Sequence, residues 1–415
     1  LWKRIADRGD IYLGEYEGWY CTPCETYWAE DELRPGNLCP SCGRPVERIA
    51  EASYFFRLSK YRDRLIAHIE ANPEFIGPDS RRNEILGFLR EGLRDLSISR
   101  TTFDWGVGVP GHPEHVVYVW FDALTNYVSA LGYPDEGGAF ADFWPADVHL
   151  IGKDILRFHA VFWPAFLMAA DLPVPRRVFA HGWWTVDGQK MSKSLRNAVD
   201  PEMLADRFGA DALRYFLLRE TAFGQDGDFS MTNFIGRINT DLANDLGNLL
   251  NRSTAMAVKY TGGAVARPAA FGSDPIDVTL REAAAAAVAG AEAHIPALSF
   301  HKALLAIWDL VRAGNKYIDE AQPWALAKAA KDDPRAATRL GEVLYHIAEG
   351  LRVSAVLIAP LMPRKMAELW ESLGMAESLE KTPFESVRRW GGFERATLRK
   401  AAPLFPKVEN GEEEA

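Results

Sequence analysis

Four cysteines stand as Cys21-x2-Cys24 and Cys39-x2-Cys42, with fourteen residues between the pairs. Two knuckles at this spacing bring four thiolates into a tetrahedron about Zn²⁺, and because protein fills every ligand position the site is closed and structural. Pro40 and Gly43, at the second pair, suit the tight turns such a knuckle needs. Two disulfides or plain reduced thiols are the competing use, and a cytosolic setting disfavours the first. A second group, Lys190-Met191-Ser192-Lys193-Ser194, follows Gly188. Two lysines three residues apart, on a loop hinged at glycine, can swing toward phosphate oxygens and neutralise charge without covalent chemistry.

The scaffold for these groups is bounded by size. With 415 residues and 48% hydrophobic content the chain can bury two or three cores. Its net charge is −10, so RNA binding must rest on local patches. No run of 18 apolar residues occurs, and the most apolar stretch, Ala160–Asp171, is broken by Pro164. No apolar leader opens the chain, so a cytoplasmic location and no membrane partner are expected. Leu1 rather than Met begins it, and the first residues read as the tail of an amphipathic helix running into Gly9, so an upstream part is expected to have been removed.

Along the chain, the cysteine region reads as a small loop-rich module, followed by amphipathic helices over 53–70 and 80–96 joined by the breakers Asn72-Pro73 and Gly77-Pro78. A hairpin-like piece is expected over 103–109. Then strand 115–119, helix 122–131, strand 148–151, helix 154–170 and strand 177–180 alternate, which implies a parallel α/β sheet with its ligand site at the carboxyl ends of the strands. After Asp200-Pro201 the pattern is helical, over 233–260, 277–294, 299–321, 335–361 and 363–373. The last residues, 409–415, form a short acidic tail. The expected fold class is thus α/β, a partial Rossmann-type parallel sheet with a zinc-knuckle insertion, followed by an all-α bundle.

Assembled, these strings resemble the methionyl-tRNA synthetase family of class I over essentially the whole chain. Lys190-Met191-Ser192-Lys193-Ser194 is similar to the lysine loop of class I synthetases, Tyr16–Cys21 to the opening of the family's zinc insertion, and Val119–Tyr127 to its amino-acid pocket. Ile151-Gly152-Lys153-Asp154-Ile155, Phe158-His159 and Phe162-Trp163-Pro164 resemble its second pocket segment. The resemblance implies domains at 1–97 (zinc insertion), 98–175 (C-terminal half of the Rossmann-type domain), 176–231 (linker subdomain with the lysine loop), 232–385 (anticodon-binding helices) and 386–415 (C-terminal segment).

It further implies roles by position. Trp120, Ala123, Tyr127, Ile155, Phe158, His159 and Trp163 would line the methionine side chain, whose polarisable thioether suits aromatic walls. Gly152, Asp154, His181, Gly182 and Lys193 would face ATP, carried with Mg²⁺, while Lys190 and Lys193 would neutralise the leaving pyrophosphate. Asp154 suits a ribose-hydroxyl acceptor and a helix N-cap alike. Asn248, Arg252 and Trp324 would recognise the CAU anticodon of tRNA(Met), the Trp by stacking and the others at base edges. Arg196 stands where relatives usually carry Gly, Leu124 at a variable pocket position, and Arg157 receives no role.

The family's HIGH motif is missing; His112, His115 and His181 do not fit its spacing. The expectation is a truncated product, an incomplete sequence or one piece of a split enzyme, monomeric, exposing an unpaired sheet edge and inactive alone. Two rivals stand beside this reading. One is a synthetase for leucine, isoleucine, valine or cysteine; the other is a non-catalytic tRNA-binding or split-subunit module.

Overall fold

The computed structural model describes residues 1–24, 26–28, 30–186, 188–191 and 197–409. They fall into two compact units, Leu1–Gly182 and Trp183–Ala415.

In the first unit a short helix, Trp2–Ala6, leads into a long antiparallel ribbon. Ile11–Cys21 pairs with Glu47–Phe56 from Ile11↔Phe56 to Tyr20↔Glu47, and Thr26–Trp28 continues the sheet beside Trp19–Cys21. These strands are rich in Tyr, Trp, Phe and Ile, which favour a pleated surface. Near the base, the Tyr12 and Phe55 rings stack at 5.6 Å. The ribbon carries the cysteines at its far end, so the expected loop-rich module is a stalk with the knuckle as its tip. The ribbon also takes Ser53–Phe56, which the helical periodicity had assigned to a helix; that helix starts only at Arg62 and runs to Ala71, burying Leu65 and Ile69.

The breaker string is likewise more than a link. Ile76–Gly77 is a strand, parallel to Val178–His181, which is parallel in turn to His149–Gly152. A two-residue strand carries no readable alternation, and only its partner from a distant part of the chain defines it. This places a strand of the parallel sheet inside the span 1–97. The hairpin expected over 103–109 lies later, as Gly108–Val109 against His112–Val117.

The helix expected over 154–170 is interrupted. A 3₁₀ turn at Lys153–Ile155 precedes a π-helical Phe158–Phe162 and the α-helix Trp163–Ala170, every residue of which is buried. Pro164 explains the wide turn: it has no N–H for the carbonyl of Ala160, and the Trp163 N–H bonds back to Phe158 instead. Arg157, on this stretch, lies with its guanidinium 4.4 Å from the Phe88 ring centroid, which gives it a packing role.

In the second unit three helices start on Asp-Pro: Pro201–Phe208, Pro275–His294 and Pro334–Ile358. Each aspartate accepts an N–H of the first turn, Asp200 from Glu202 at 2.9 Å, Asp274 from Ile276 at 3.2 Å and Asp333 from Arg335 at 2.8 Å, while the proline loses no helix bond. Phe300–Ala321 and Pro363–Leu373 complete the main packing about Tyr215, Phe234, Trp308 and Leu344. The helix expected over 233–260 contains a π-helical section, Ile238–Gly247. Its cause lies on the neighbouring helix: Trp308 Nε1 donates to the carbonyl of Asp241 at 3.2 Å and Asn315 Nδ2 to that of Asp245 at 2.9 Å. Two small sheets interrupt the helical pattern, Trp184–Val186 with Gln189–Lys190 and Gly227–Phe229, and Ala264–Ala266 with Arg395–Thr397. No described helix is long and apolar enough to cross a membrane.

Candidate functional site

The knuckle residues converge. All four sulfurs of Cys21, Cys24, Cys39 and Cys42 lie within 4.8 Å of one another, with Cys21 and Cys42 at 3.5 Å and Cys24 and Cys39 at 3.9 Å. Tetrahedral Zn–S bonds of about 2.3 Å require sulfur–sulfur edges of about 3.8 Å, so the cluster fits zinc without rearrangement. None of the four is in a disulfide. Burial raises the Cys39 thiol, yet the backbone N–H groups of Cys42 and Ser41 and two neighbouring thiols bring it down to about 7. Burial and the neighbouring thiols push Cys24 well up. Four thiols this close cannot all ionise without a cation among them. The ribbon holds the site; among the described residues it offers no open ligand position.

The aromatic candidates also come together. Trp120, Ala123 and Tyr127 lie on one face of the helix Val119–Ser129, at i, i+3 and i+7. Opposite stands the π-helical stretch, whose Phe158 ring stacks on Trp120 at 3.8 Å. Tyr127 lies 2.9 Å from His159 Nε2, and His159 Nδ1 lies 3.0 Å from the Ile155 carbonyl. A carbonyl only accepts, so Nδ1 carries the proton, Nε2 is the acceptor, and the Tyr127 hydroxyl donates to it. Burial holds the His159 imidazole below its ordinary range, in keeping with a neutral ring. Trp163 is wholly buried, 6.2 Å from Tyr127 by ring centroids.

One member of this cluster is absent from the sequence reading. His149 opens the strand His149–Gly152, packs 4.1 Å from the Tyr127 ring, and is only 5% exposed. Its Nε2 and the Nε1 of Trp163 are buried polar atoms without a hydrogen-bond partner. Burial, and after it the proximity of His159, lowers its pKa to about 4. A lone histidine at the start of a strand carries no sequence signal of this role.

The strand ends supply the second half of the site. His149–Gly152 and Val178–His181 run parallel with Gly152 paired to His181, so both carboxyl ends open on one side, as ligand crevices of parallel sheets require. A Cβ on Gly152 would sit 2.6 Å from Asp154 Oδ1 and 3.9 Å from the His181 ring, so only glycine lets that carboxylate lie against the strand end. Asp154 falls inside the 3₁₀ turn Lys153–Ile155, so it holds no N-cap position. His181 Nδ1 lies 2.8 Å from the carbonyl of Gly182.

The lysine loop begins on a hairpin. Thr185 pairs with Lys190 and Val186 with Gln189 about Gly188, whose φ of 70° is a left-handed turn position. Asp228 Oδ1 accepts from Thr185 Oγ1 at 2.6 Å and from the Gly188 N–H at 2.9 Å, and these donors hold its carboxyl below the usual range. Asp228 therefore fixes the turn that presents Lys190, and the sequence reading missed it. Gly188 is the corner of a pinned hairpin rather than a free hinge. The Lys190 side chain, Lys193 and Arg196 lie outside the described residues.

In the second unit Asn248 opens the helix Asn248–Thr261 and is exposed. Arg252, one turn on, reaches Asp319 Oδ1 at 2.5 Å, in the last turn of Phe300–Ala321. Gln322, at φ 46°, then turns the chain into Pro323–Ala329, where Trp324 is 45% exposed. A large aromatic left this open can stack an unpaired base.

Comparison with known proteins bears on the family of the chain. The family described as "tRNA synthetases class I (M)" matches residues 39–254, and the "Anticodon binding domain of methionyl tRNA ligase" matches 268–414. Methionine–tRNA ligase of Caldanaerobacter subterraneus is 51% identical over 410 residues, 99% of this chain and 63% of that protein. That of Bacillus subtilis is 48% identical over 425 residues, 100% of this chain and 63% of its own length. Methionyl-tRNA synthetase of Mycobacterium tuberculosis, solved with methionyl-adenylate, superposes with a TM-score of 0.91 at 46% identity, covering 98% of this chain and 79% of that one. This chain thus spans about 63% of the length of those curated relatives. The comparisons give the expectations of a truncated product and of inactivity alone no support.

Proposed function

The chain belongs to the methionyl family of class I tRNA synthetases, and on that premise we propose that it serves as a methionine–tRNA ligase. In the first step the methionine carboxylate attacks the α-phosphate of Mg-bound ATP; the phosphoanhydride bond breaks, pyrophosphate leaves, and methionyl-adenylate forms. In the second a hydroxyl of the terminal tRNA(Met) ribose attacks the acyl carbon and AMP leaves. Acceleration comes from positioning and charge neutralisation rather than from a general base.

Trp120, Ala123, Tyr127, Ile155, Phe158, His159 and Trp163 take the methionine side chain. Gly152, Asp154, His181, Gly182 and Lys193 face ATP, and Lys190 with Lys193 meets the departing pyrophosphate. The four cysteines hold one zinc ion, which organises the ribbon tip when bound and takes no part in the reaction. Asn248, Arg252 and Trp324 read the anticodon. The reading includes a cytoplasmic monomer.

One observation carries most of the weight. A run of chain from His149 through Trp163 joins the carboxyl end of a parallel strand, which suits a nucleotide, to a cluster of stacked aromatic rings, which suits a thioether. Methionine-dependent exchange of pyrophosphate into ATP tests it, with the chain alone and with a HIGH-motif polypeptide added in trans. Exchange that responds equally to leucine, isoleucine, valine or cysteine contradicts the assignment.

A further inference from the structure

The C-terminal residues 403–408 lie along the helix that carries Asn248, and they are held there by a paired amide contact. Asn239 Nδ2 donates to the carbonyl of Val408 at 2.9 Å while its Oδ1 accepts the Val408 N–H at 2.9 Å. Leu404 and Phe405 of this strap are buried, 3% and 5% exposed. The segment is therefore fixed in place, and its exposed Lys407 is presented at a set position.

Strap and helix enclose a cleft of about 480 Å³, with Asn244, Asn248 and Asn251 on one wall and Pro403 to Phe405 with Lys407 on the other. The three asparagines are exposed, and neither they nor Lys407 spends its side chain on an internal hydrogen bond or ion pair among the described residues. Lys407 also borders the adjoining cleft, with Arg207 and Phe208. A row of unspent amides offers donors and acceptors in equal number, as sugar hydroxyls and base edges require, and carries no charge of its own. A single ammonium opposite them, on a stretch of backbone held by Asn239, matches one phosphate. An acidic protein surface would be met by cations on both walls, and an apolar partner would meet three exposed amides on the helix side.

We propose that this cleft receives the sugar–phosphate backbone of the anticodon arm, with Lys407 contacting a phosphate and the strap acting as a second wall of the RNA-binding surface. The proposal rests on the reading of Asn248, Arg252 and Trp324 as the anticodon site and extends it to a segment that no base-reading motif marks. Phosphate contact adds affinity without sequence information.

Binding of the 415-residue chain to an anticodon stem-loop RNA with CAU, and to the same stem-loop with an altered anticodon, separates the two claims. Lys407→Ala is expected to weaken both RNAs alike, by about fivefold near 0.15 M salt, and to reduce the slope of log affinity against log salt by about one. Lys407→Arg retains binding, Asn239→Ala reproduces the loss by releasing the strap, and Lys400→Ala, exposed elsewhere, changes nothing. If the unaltered chain prefers CAU but Lys407→Ala leaves affinity and slope unchanged, the strap proposal is overturned and the anticodon reading stands. If the unaltered chain shows no preference for CAU, the anticodon reading itself fails.

Discussion

Tyr127 donates its hydroxyl proton to Nε2 of His159 across 2.9 Å, a direction fixed by the bond from His159 Nδ1 to the Ile155 carbonyl. The phenol oxygen consequently turns lone pairs, and no proton, toward anything bound beside Trp120. Replacing His159 by Ala removes that constraint and leaves the hydroxyl without its acceptor. In the pyrophosphate-exchange reaction the KM for methionine should rise about five- to tenfold, the equivalent of one net hydrogen bond, with kcat changed less. A KM within twofold of the unaltered protein would show that the pair does not order the pocket.

Zinc content follows from the sulfur geometry. Metal analysis should find one zinc per chain, and Cys39→Ala should abolish it, since three remaining sulfurs cannot close the tetrahedron. Binding to the apo-protein should release protons at both pH 6.5 and pH 9, because Cys24 is held protonated by burial and its neighbouring thiols, and more at pH 6.5, because Cys39, at about 7, is still largely protonated there. Zinc retained in the Cys39→Ala chain would contradict a four-thiolate site.

One buried histidine in each unit makes that unit acid-sensitive. His149 in the first and His346 in the second have pKa values lowered to about 4, in both cases chiefly by burial; for His346, 1% exposed, the Asp277 carboxylate offsets part of that effect. The unfolded imidazole takes a proton near pH 6.5 and the folded one only near 4, so stability is full above 6.5 and declines as the pH falls to 4. Each contributes up to about 3 kcal/mol of this decline. Asp277, held below the carboxylate range against its own burial by Arg339 and Tyr317, gives up its share only at lower pH. Urea midpoints at pH 7 and 4.5 measure the effect, and His346→Gln should flatten the second unit's response. An unchanged slope in that variant would assign the loss elsewhere.

How much of this was readable in advance depended on whether the signal was local. The cysteine spacing and the aromatic pattern from Trp120 to Tyr127 each sit within one or two turns of chain, and the elements formed there. Ile76–Gly77 was missed because two residues show no periodicity without their partner strand. The π-helical Ile238–Gly247 depends on Trp308 and Asn315, some seventy residues away, and no feature of its own sequence announces it. Asp228 and His149 were overlooked for the same reason. Their importance lies in what the fold brings against them: the Gly188 turn for Asp228, the Tyr127 ring for His149.

A buried ion pair ties the C-terminal segment to the longest helix. Arg352 and Glu349, 2% and 0% exposed, make a paired contact at 2.7 and 2.8 Å, and Glu349 Oε1 also accepts the N–H groups of Gly391 and Gly392 at 2.9 Å. A Cβ on Gly392 would fall on the guanidinium. Arg352→Met strands a buried carboxylate and should cost about 3–5 kcal/mol, while adding Glu349→Gln should recover part of it. Equal loss in the single and double variants would show that the charge of Glu349 is not what Arg352 compensates.

The most direct test remains the amino-acid dependence of ATP–pyrophosphate exchange, measured with methionine, leucine, isoleucine, valine and cysteine at equal concentration, with the HIGH-motif polypeptide present. Exchange should follow methionine, fall by at least about tenfold for each of the others, and fall further when Trp120 is replaced by Ala. Exchange indifferent to the amino acid, or to Trp120, would contradict the assignment of the aromatic cluster as a methionine pocket.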